Sequence, residues 1–317
     1  MARKSNSVRR PGKKVSSVKR KTGKIWVVAV DPFAKVTGES VVDFALHLGE
    51  AARAFVQPTY VLSPASLNWT GEFSGPWLKK YLPLAEARMQ ELFGDKGRVV
   101  VCKDSGTRAA VKALVADAQK VGAESILIST HARHGLERLA LGSFAETLIL
   151  ASKIPVTVLN PQALKTSEVK KVLVPTDLTK ASQKFVMAMT EQAKKWGAEL
   201  ILFYKQPDPL DPIIQQGIYS LGGGWVSMQS FIETELAEKT EALEKLEKTI
   251  KKDGVNVSHV IDSSPASLIE SITKAAQEQR ADMIAVFTQA GPTTANLLGS
   301  VARGLVRESP VPVMIRR

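Results

Sequence analysis

The chain repeats itself at a fixed distance. Residues 126–159 and 283–315 each run from an apolar strand (ILIS from Ile126, MIAV from Met283) through a polar loop to a Gly-Ser pair. An amphipathic helix and a Pro-Val step inside a short terminal strand follow in both. Gly142-Ser143 and Gly299-Ser300 lie 157 positions apart, and so do Pro155 and Pro312. Solenoid repeats are only about 20–50 residues long, so a period of this size implies two similar domains. The 317 residues agree, since a domain of roughly 100–200 residues can bury its own core.

Each half begins with a strand that ends in an acid. KIWVVAVD, ending at Asp31, is a continuous apolar run of the kind that is buried on both faces in a parallel sheet. Ser40 and Asp43 form a capping-box-like start to a helix with an apolar stripe at Phe44, Leu48, Ala51, Ala52 and Phe55. Strands follow at 55–63, 99–102, 126–129 and 154–159, with helices near 76–93, from Thr107 to Val121 and at 143–152. In the second half KVLVPTD ends at Asp177, and Ser182 is placed to cap the next helix. Strands are expected at 199–204, 257–262, MIAVF and VPVMI. A helix over 231–252 carries Glu241/Lys245, Glu244/Lys248 and Glu247/Lys251 on a solvated face. Ser264-Pro265 opens the helix after that, proline suiting the first helical position.

Strands alternating with helices specify an α/β fold: two domains, each an open five-stranded parallel sheet flanked by helices. Ligands in such sheets bind beyond the carboxyl ends of the strands, where the strand order reverses. Asp31, the loop after Ile128 and Gly142-Ser143 all fall on that edge. The boundaries are a basic arm at 1–23, a first domain at 24–160, a linker at 161–169 and a second domain at 170–317.

Charge is concentrated at one end. Residues 1–24 hold Arg3, Lys4, Arg9, Arg10, Lys13, Lys14, Lys19, Arg20, Lys21 and Lys24 without one acid, and so supply 10 of the net 12 positive charges. Little there can be buried, which predicts a disordered arm. Two roles fit it: a solubilising tail, or a contact with nucleic acid or anionic lipid through phosphate charge alone. No apolar run approaches the roughly 20 residues of a membrane span. A single cysteine, Cys102, precludes an intrachain disulfide and favours a reducing, cytoplasmic setting.

The strand-Asp opening, the loop-Gly-Ser-helix block and the terminal Pro-Val strand, each present twice, resemble the universal stress protein family in its tandem form. The resemblance implies a Rossmann-like sheet of strand order 3-2-1-4-5 in each domain. It also implies an intramolecular pseudo-dimer joined through the fifth strands, at Val156, Val158, Val311 and Val313. Nucleotide-binding members carry Gly, two residues, Gly, nine residues, then Gly-Ser. The matching first-domain positions are Ser129, Ala132, Gly142 and Ser143, with Phe144 next. Small residues there let the backbone approach phosphates, and the helix start supplies unpaired N–H groups. By the same analogy Asp31 faces the adenosine, the backbone near Val61 borders the base, and Arg133 and His134 add charge or hydrogen bonds to phosphate. ATP or AMP, with Mg accompanying ATP, are the implied ligands, in a non-catalytic stress-response protein with an unidentified protein partner. In the second domain Val286 and Gln289 take the two leading positions, which narrows the phosphate space. The alternative in both halves is that Gly142-Ser143 and Gly299-Ser300 merely cap helices and that Asp31 and Asp177 merely end strands, and it suits the second half better.

Other signals carry less. His131 and His134 have no Cys or carboxylate in their local motif, so they do not read as zinc ligands. Gly222-Gly223-Gly224 lacks the Gly-Lys-Ser/Thr ending of a phosphate-binding loop. Trp69, Phe73, Trp77 and Tyr81 read as core or as a cover over the cleft, because no basic residue interleaves with the first three.

Overall fold

A computed structural model of the chain describes residues 24–34, 39–64, 77–129, 142–159, 168–206, 228–288 and 299–316. The basic arm and the loops carrying His131, Ala132, Arg133, His134, Gly222 and Gln289 lie outside the described residues, as do Trp69 and Phe73.

The first half runs β1 (Lys24–Ala29), α1 (Glu39–Ala51), β2 (Ala54–Leu62), α2 (Trp77–Phe93), β3 (Arg98–Val101), α3 (Thr107–Val121), β4 (Ala123–Ser129), α4 (Ser143–Ala151) and β5 (Val156–Leu159). The second runs β6 (Lys171–Pro175), α5 (Lys180–Trp196), β7 (Glu199–Lys205), α6 (Met228–Lys252), β8 (Val257–Asp262), α7 (Leu268–Glu278), β9 (Met283–Phe287), α8 (Ser300–Glu308) and β10 (Val313–Arg316). All ten strands form one sheet, ordered β3-β2-β1-β4-β5-β10-β9-β6-β7-β8. Each half is therefore a parallel 3-2-1-4-5 sheet. Among the described residues the only antiparallel step joins β5 to β10, with Val158 opposite Val313, Thr157 opposite Met314 and Val156 opposite Ile315.

The continuous apolar runs are explained by the two layers. On one face Trp26 and Val28 join α1, α2, α5 and α6 through Leu48, Met89, Val186 and Leu243. On the other Val27 and Ile126 join α3, α4, α7 and α8 through Leu114, Leu148, Ile272 and Leu305. Both layers cross the junction between the halves. Trp26 of the first half meets Trp196 of the second edge-to-face, with ring centroids 6.4 Å apart.

Several local expectations shift, each for a visible reason. Pro58 sits inside β2, opposite Val28. Pairing of β2 with β3 begins only at Thr59, so at Pro58 there is no β3 neighbour to miss a donor. The fifth strands start later than Ile154 and Val311, because a serine turns the chain first. The Ser152 hydroxyl donates to Ile154 O (2.7 Å) and accepts from Ile154 N (3.1 Å). Ser309 does the same with Val311 (2.6 and 3.1 Å). Val311 is thus held in a turn and is not one of the pairing residues, and Met314 and Ile315 take its place.

Helix starts move as well. Helix α1 begins at Glu39, so Ser40 is already inside it. Thr179, not Ser182, caps α5, its side chain accepting from Ser182 N. Ser182 is instead buried, its hydroxyl 2.6 Å from that of Thr176. Ser267 caps α7, three residues after Ser264. On α6, Glu247 is no mere surface charge. Its two oxygens take Lys251 Nζ (3.0 Å) and His259 Nδ1 (2.7 Å), which ties the helix to β8.

A shared sheet and two shared apolar layers make the halves one folding unit. Trp196→Ala is expected to lower stability by about 3–5 kcal/mol, as for other buried Trp truncations. Thermal unfolding should stay a single transition, and amide exchange in β1 should accelerate together with that in α5. Two separate transitions, with β1 unaffected, would show the halves to be independent.

Candidate functional site

In the first half the chain moves outward from β1 through β2 to β3, then crosses back to β4 on the other side of β1. The crevice lies between β1 and β4 at their carboxyl ends. Asp31, two residues past β1, is fixed there by a local turn in which its Oδ1 accepts Phe33 N at 3.0 Å. Arg88 of α2 donates its Nε–H to Pro32 O at 3.3 Å and ties down the same loop. Phe33 is 53% exposed and rests edge-to-face on Tyr60, with centroids 5.8 Å apart. Val61 follows Tyr60, with its side chain buried in the α3/α4 layer, so only its backbone can border a ligand.

Ser129 closes β4, opposite Leu159 on β5. Gly142 then precedes α4 in an extended conformation without a side-chain cap, so the first N–H groups of the helix have no side-chain acceptor. Gly142 and Ser143 are both exposed. Among the described residues, its chain neighbours and its own helix backbone aside, no atom lies within 4 Å of where a Cβ on Gly142 would stand. Phe144, by contrast, leans into the α3/α4 layer as packing. The topology thus brings Asp31, Ser129, Gly142 and Ser143 to one edge. Ala132, Arg133 and His134 fall outside the described residues.

The second half keeps the backbone of this edge and changes its chemistry. Thr176 N donates to Phe203 O (2.8 Å) as Val30 N does to Thr59 O (3.1 Å), which makes Asp177 the counterpart of Asp31. Asp177 Oδ1 is occupied by Thr179, through its N–H (3.0 Å) and its hydroxyl (2.7 Å). The same register makes Lys205 the counterpart of Val61, and Asp262 that of Val100. Where the first half pairs two valines, the second has an ion pair: Lys205 Nζ lies 2.9 Å from Asp262 Oδ2. Lys205 also donates to Ser264 O, and Ser264 donates its N–H to Asp262 Oδ1 (2.9 Å) and its hydroxyl to Oδ2 (3.0 Å).

Burial raises the Asp262 carboxyl. The neighbouring Ser271 hydroxyl, which makes no hydrogen bond of ordinary geometry, the Lys205 ammonium and Ser264 outweigh that and hold it well below the usual carboxylate range. Beside it, burial together with the charges of Glu235 and Asp177 pushes the Tyr204 phenol up to about 12.

Matching the two Gly-Ser blocks by sequence is also off by one at the strand before them. Ile126 N donates to Pro155 O, whereas its structural counterpart donating to Pro312 O is Ile284 rather than Met283. Pairing with the first strands agrees, Val27 lying opposite Ile126 and Leu173 opposite Ile284. The counterpart of Ser129 is therefore Phe287, not Val286. Its ring stacks on Phe185 with centroids 5.8 Å apart. The loop is one residue shorter in the second half, and a phenyl stands where the first half has a hydroxymethyl.

The Lys205–Asp262 pair was missed in the sequence, although the signal was present. Two adjacent strands, ELILFYK and VSHVID, end in opposite charges on the same edge. Among the described residues no three His, Cys, Asp or Glu gather as a metal site. No described helix is long and apolar enough to cross a membrane.

The model of the universal stress protein family matches residues 24–160 and again 168–317. The chain therefore belongs to the universal stress protein family and carries its domain twice. Solved structures agree in fold. A universal stress protein from Archaeoglobus fulgidus superposes with a TM-score of 0.58 at 17% identity, over 92% of this chain and 96% of that one. A Pseudomonas aeruginosa protein of unknown function gives 0.58 at 14% identity, over 95% and 94%. A second Archaeoglobus fulgidus universal stress protein, solved in complex with dAMP, matches 47% of this chain and 98% of its own at 19% identity, with a TM-score of 0.33. No curated protein matches.

The partly buried ion pair predicts a pH dependence. The folded-state pKa of Asp262 lies below its unfolded value, so its stabilisation is complete above about pH 4. It is lost as the pH falls from there toward the folded pKa. Asp262→Asn is expected to lower stability at pH 7 and to flatten the fall between pH 4 and pH 2 in denaturant titrations. An unchanged acid profile would mean that the carboxyl is not held down by its partners.

Proposed function

We propose that this chain is a non-catalytic, stress-responsive regulatory protein whose first domain alone binds ATP or AMP. The observation that carries the reading is the divergence at one conserved edge. Gly142-Ser143 and Gly299-Ser300 are equally open among the described residues, and the two edges part at Ser129. The second has Phe287 in place of Ser129, and its Asp177 adds a bond from the Thr179 hydroxyl to the turn that Asp31 also makes. A phosphate at the start of α4 would meet N–H donors and the positive end of the helix dipole, with no side chain at Gly142 to hold it off. Asp31 keeps its second carboxylate oxygen for a ribose hydroxyl while the first orders the loop. Mg would enter with the triphosphate. Cys102 is buried and the Asp31 carboxylate is already engaged in ordering its own loop, so the ligand serves as a signal read by a protein partner.

The charge of the arm favours a second reading, an adaptor that docks on nucleic acid through residues 1–23. That mode predicts binding which weakens steeply with salt and ignores Gly142.

Titration calorimetry separates the two. Micromolar to millimolar ATP and AMP, with and without Mg, are expected to bind the full chain at one site. Asp31→Ala is expected to weaken binding about tenfold, the scale of one hydrogen bond to a charged group. Gly142→Val should abolish it, and removal of residues 1–23 should leave it unchanged. Absence of heat at millimolar ATP from folded protein would overturn the nucleotide reading.

A further inference from the structure

The ladder between β5 and β10 has a local two-fold axis, and the 157-residue repeat says which residues sit on it. Val156 and Val158 correspond to Val313 and Ile315, and each pairs with the other's counterpart. Thr157 pairs with Met314, its own counterpart. On the α4/α8 side of the sheet the same relation holds at Glu146, whose Oε1 lies 2.5 Å from the guanidinium of its own counterpart, Arg303.

A residue on such an axis has a special property. Were either half to pair with a copy of itself, the residue would face an identical side chain. Two first halves would bring Glu146 against Glu146 and Thr157 against Thr157. Two second halves would bring Arg303 against Arg303 and Met314 against Met314. In the intact chain both positions are instead complementary: acid against base, and a small buried Thr157 against a long buried Met314. Neither feature is needed to make a sheet. Both distinguish unlike halves from like ones, by charge at one position and by volume at the other.

We infer that Glu146/Arg303 and Thr157/Met314 form a pairing code on the pseudo-two-fold axis, so that the surface of the first half fits a second half of this chain and disfavours a copy of itself. The attraction is modest because both charged side chains are more than a third exposed. The discrimination comes from the like-charge and like-size contacts that homotypic pairing would impose. The two positions lie on different elements, α4 with α8 and β5 with β10, and so act independently.

Full-length variants can recreate each homotypic contact inside one chain. Glu146→Arg sets Arg against Arg303, and Arg303→Glu sets Glu against Glu146. Glu146→Gln removes the attraction without adding repulsion. Melting temperatures at low salt are expected to fall by roughly 2 °C or more for each reversal, the shift that about 1 kcal/mol produces in a chain of this size. The fall should be smaller for Glu146→Gln, and the E146R/R303E double variant should return to within about 1 °C of the parent chain. The T157M/M314T exchange should likewise recover most of what T157M and M314T each lose. Raising the salt to 1 M should erase the charge effect and spare the size effect. Doubles that lose the sum of their singles, or a Glu146→Arg no worse than Glu146→Gln, would overturn the code.

Discussion

The antiparallel union of β5 with β10 is the constraint on which the rest of this molecule depends. Each half taken alone is an open sheet whose last strand would present a row of unpaired N–H and C=O groups. Both strands are also buried on both faces: Val156, Val158, Val313 and Ile315 are each at most 2% exposed on one, and Thr157 and Met314 are 1% and 6% exposed on the other. Joining the two edges satisfies the ladder and continues both hydrophobic layers at once, which is why Trp26 can meet a tryptophan from the other half. The duplicated serine turns at Ser152 and Ser309 deliver the two strands to that union in the same register.

Within that frame the two carboxyl edges have drifted apart, and the geometry shows where drift is tolerated. Strand interiors are buried from both sides, so the halves keep the same ladders there. At the strand ends side chains face loops, and replacement costs less. Two valines in one half become the Lys205–Asp262 pair in the other, with Ser264 completing its hydrogen bonds. A partly buried ion pair needs such satisfaction of its remaining donors and acceptors to be stable. The second half therefore uses this edge for cohesion, where the first has two valines.

Much of this was legible without coordinates. Buried parallel strands announce themselves as unbroken apolar runs, and the repeat distance between the Gly-Ser pairs reveals the duplication. Helix caps were less legible because Thr179, Ser182, Ser264 and Ser267 are chemically interchangeable as caps. Which one is used depends on where the chain leaves the strand. The equivalence of Ser129 with Phe287 was hidden for a similar reason. Matching MIAV to ILIS by apolar pattern is blind to a one-residue change in the loop that follows, whereas the hydrogen bonds of Ile126 and Ile284 to the prolines of the fifth strands register it.

The amino-acid sequence by itself determined the number of halves, their α/β class and the acids and glycines at the strand ends, because these follow from periodicity and residue type within a short stretch of chain. Only the tertiary structure decided which of those residues meet. The opposition of Glu146 to Arg303, of Lys205 to Asp262 and of Thr157 to Met314 depends on strand register and on the two-fold relation between halves. Both are set by the sum of contacts across the whole sheet rather than by any local segment.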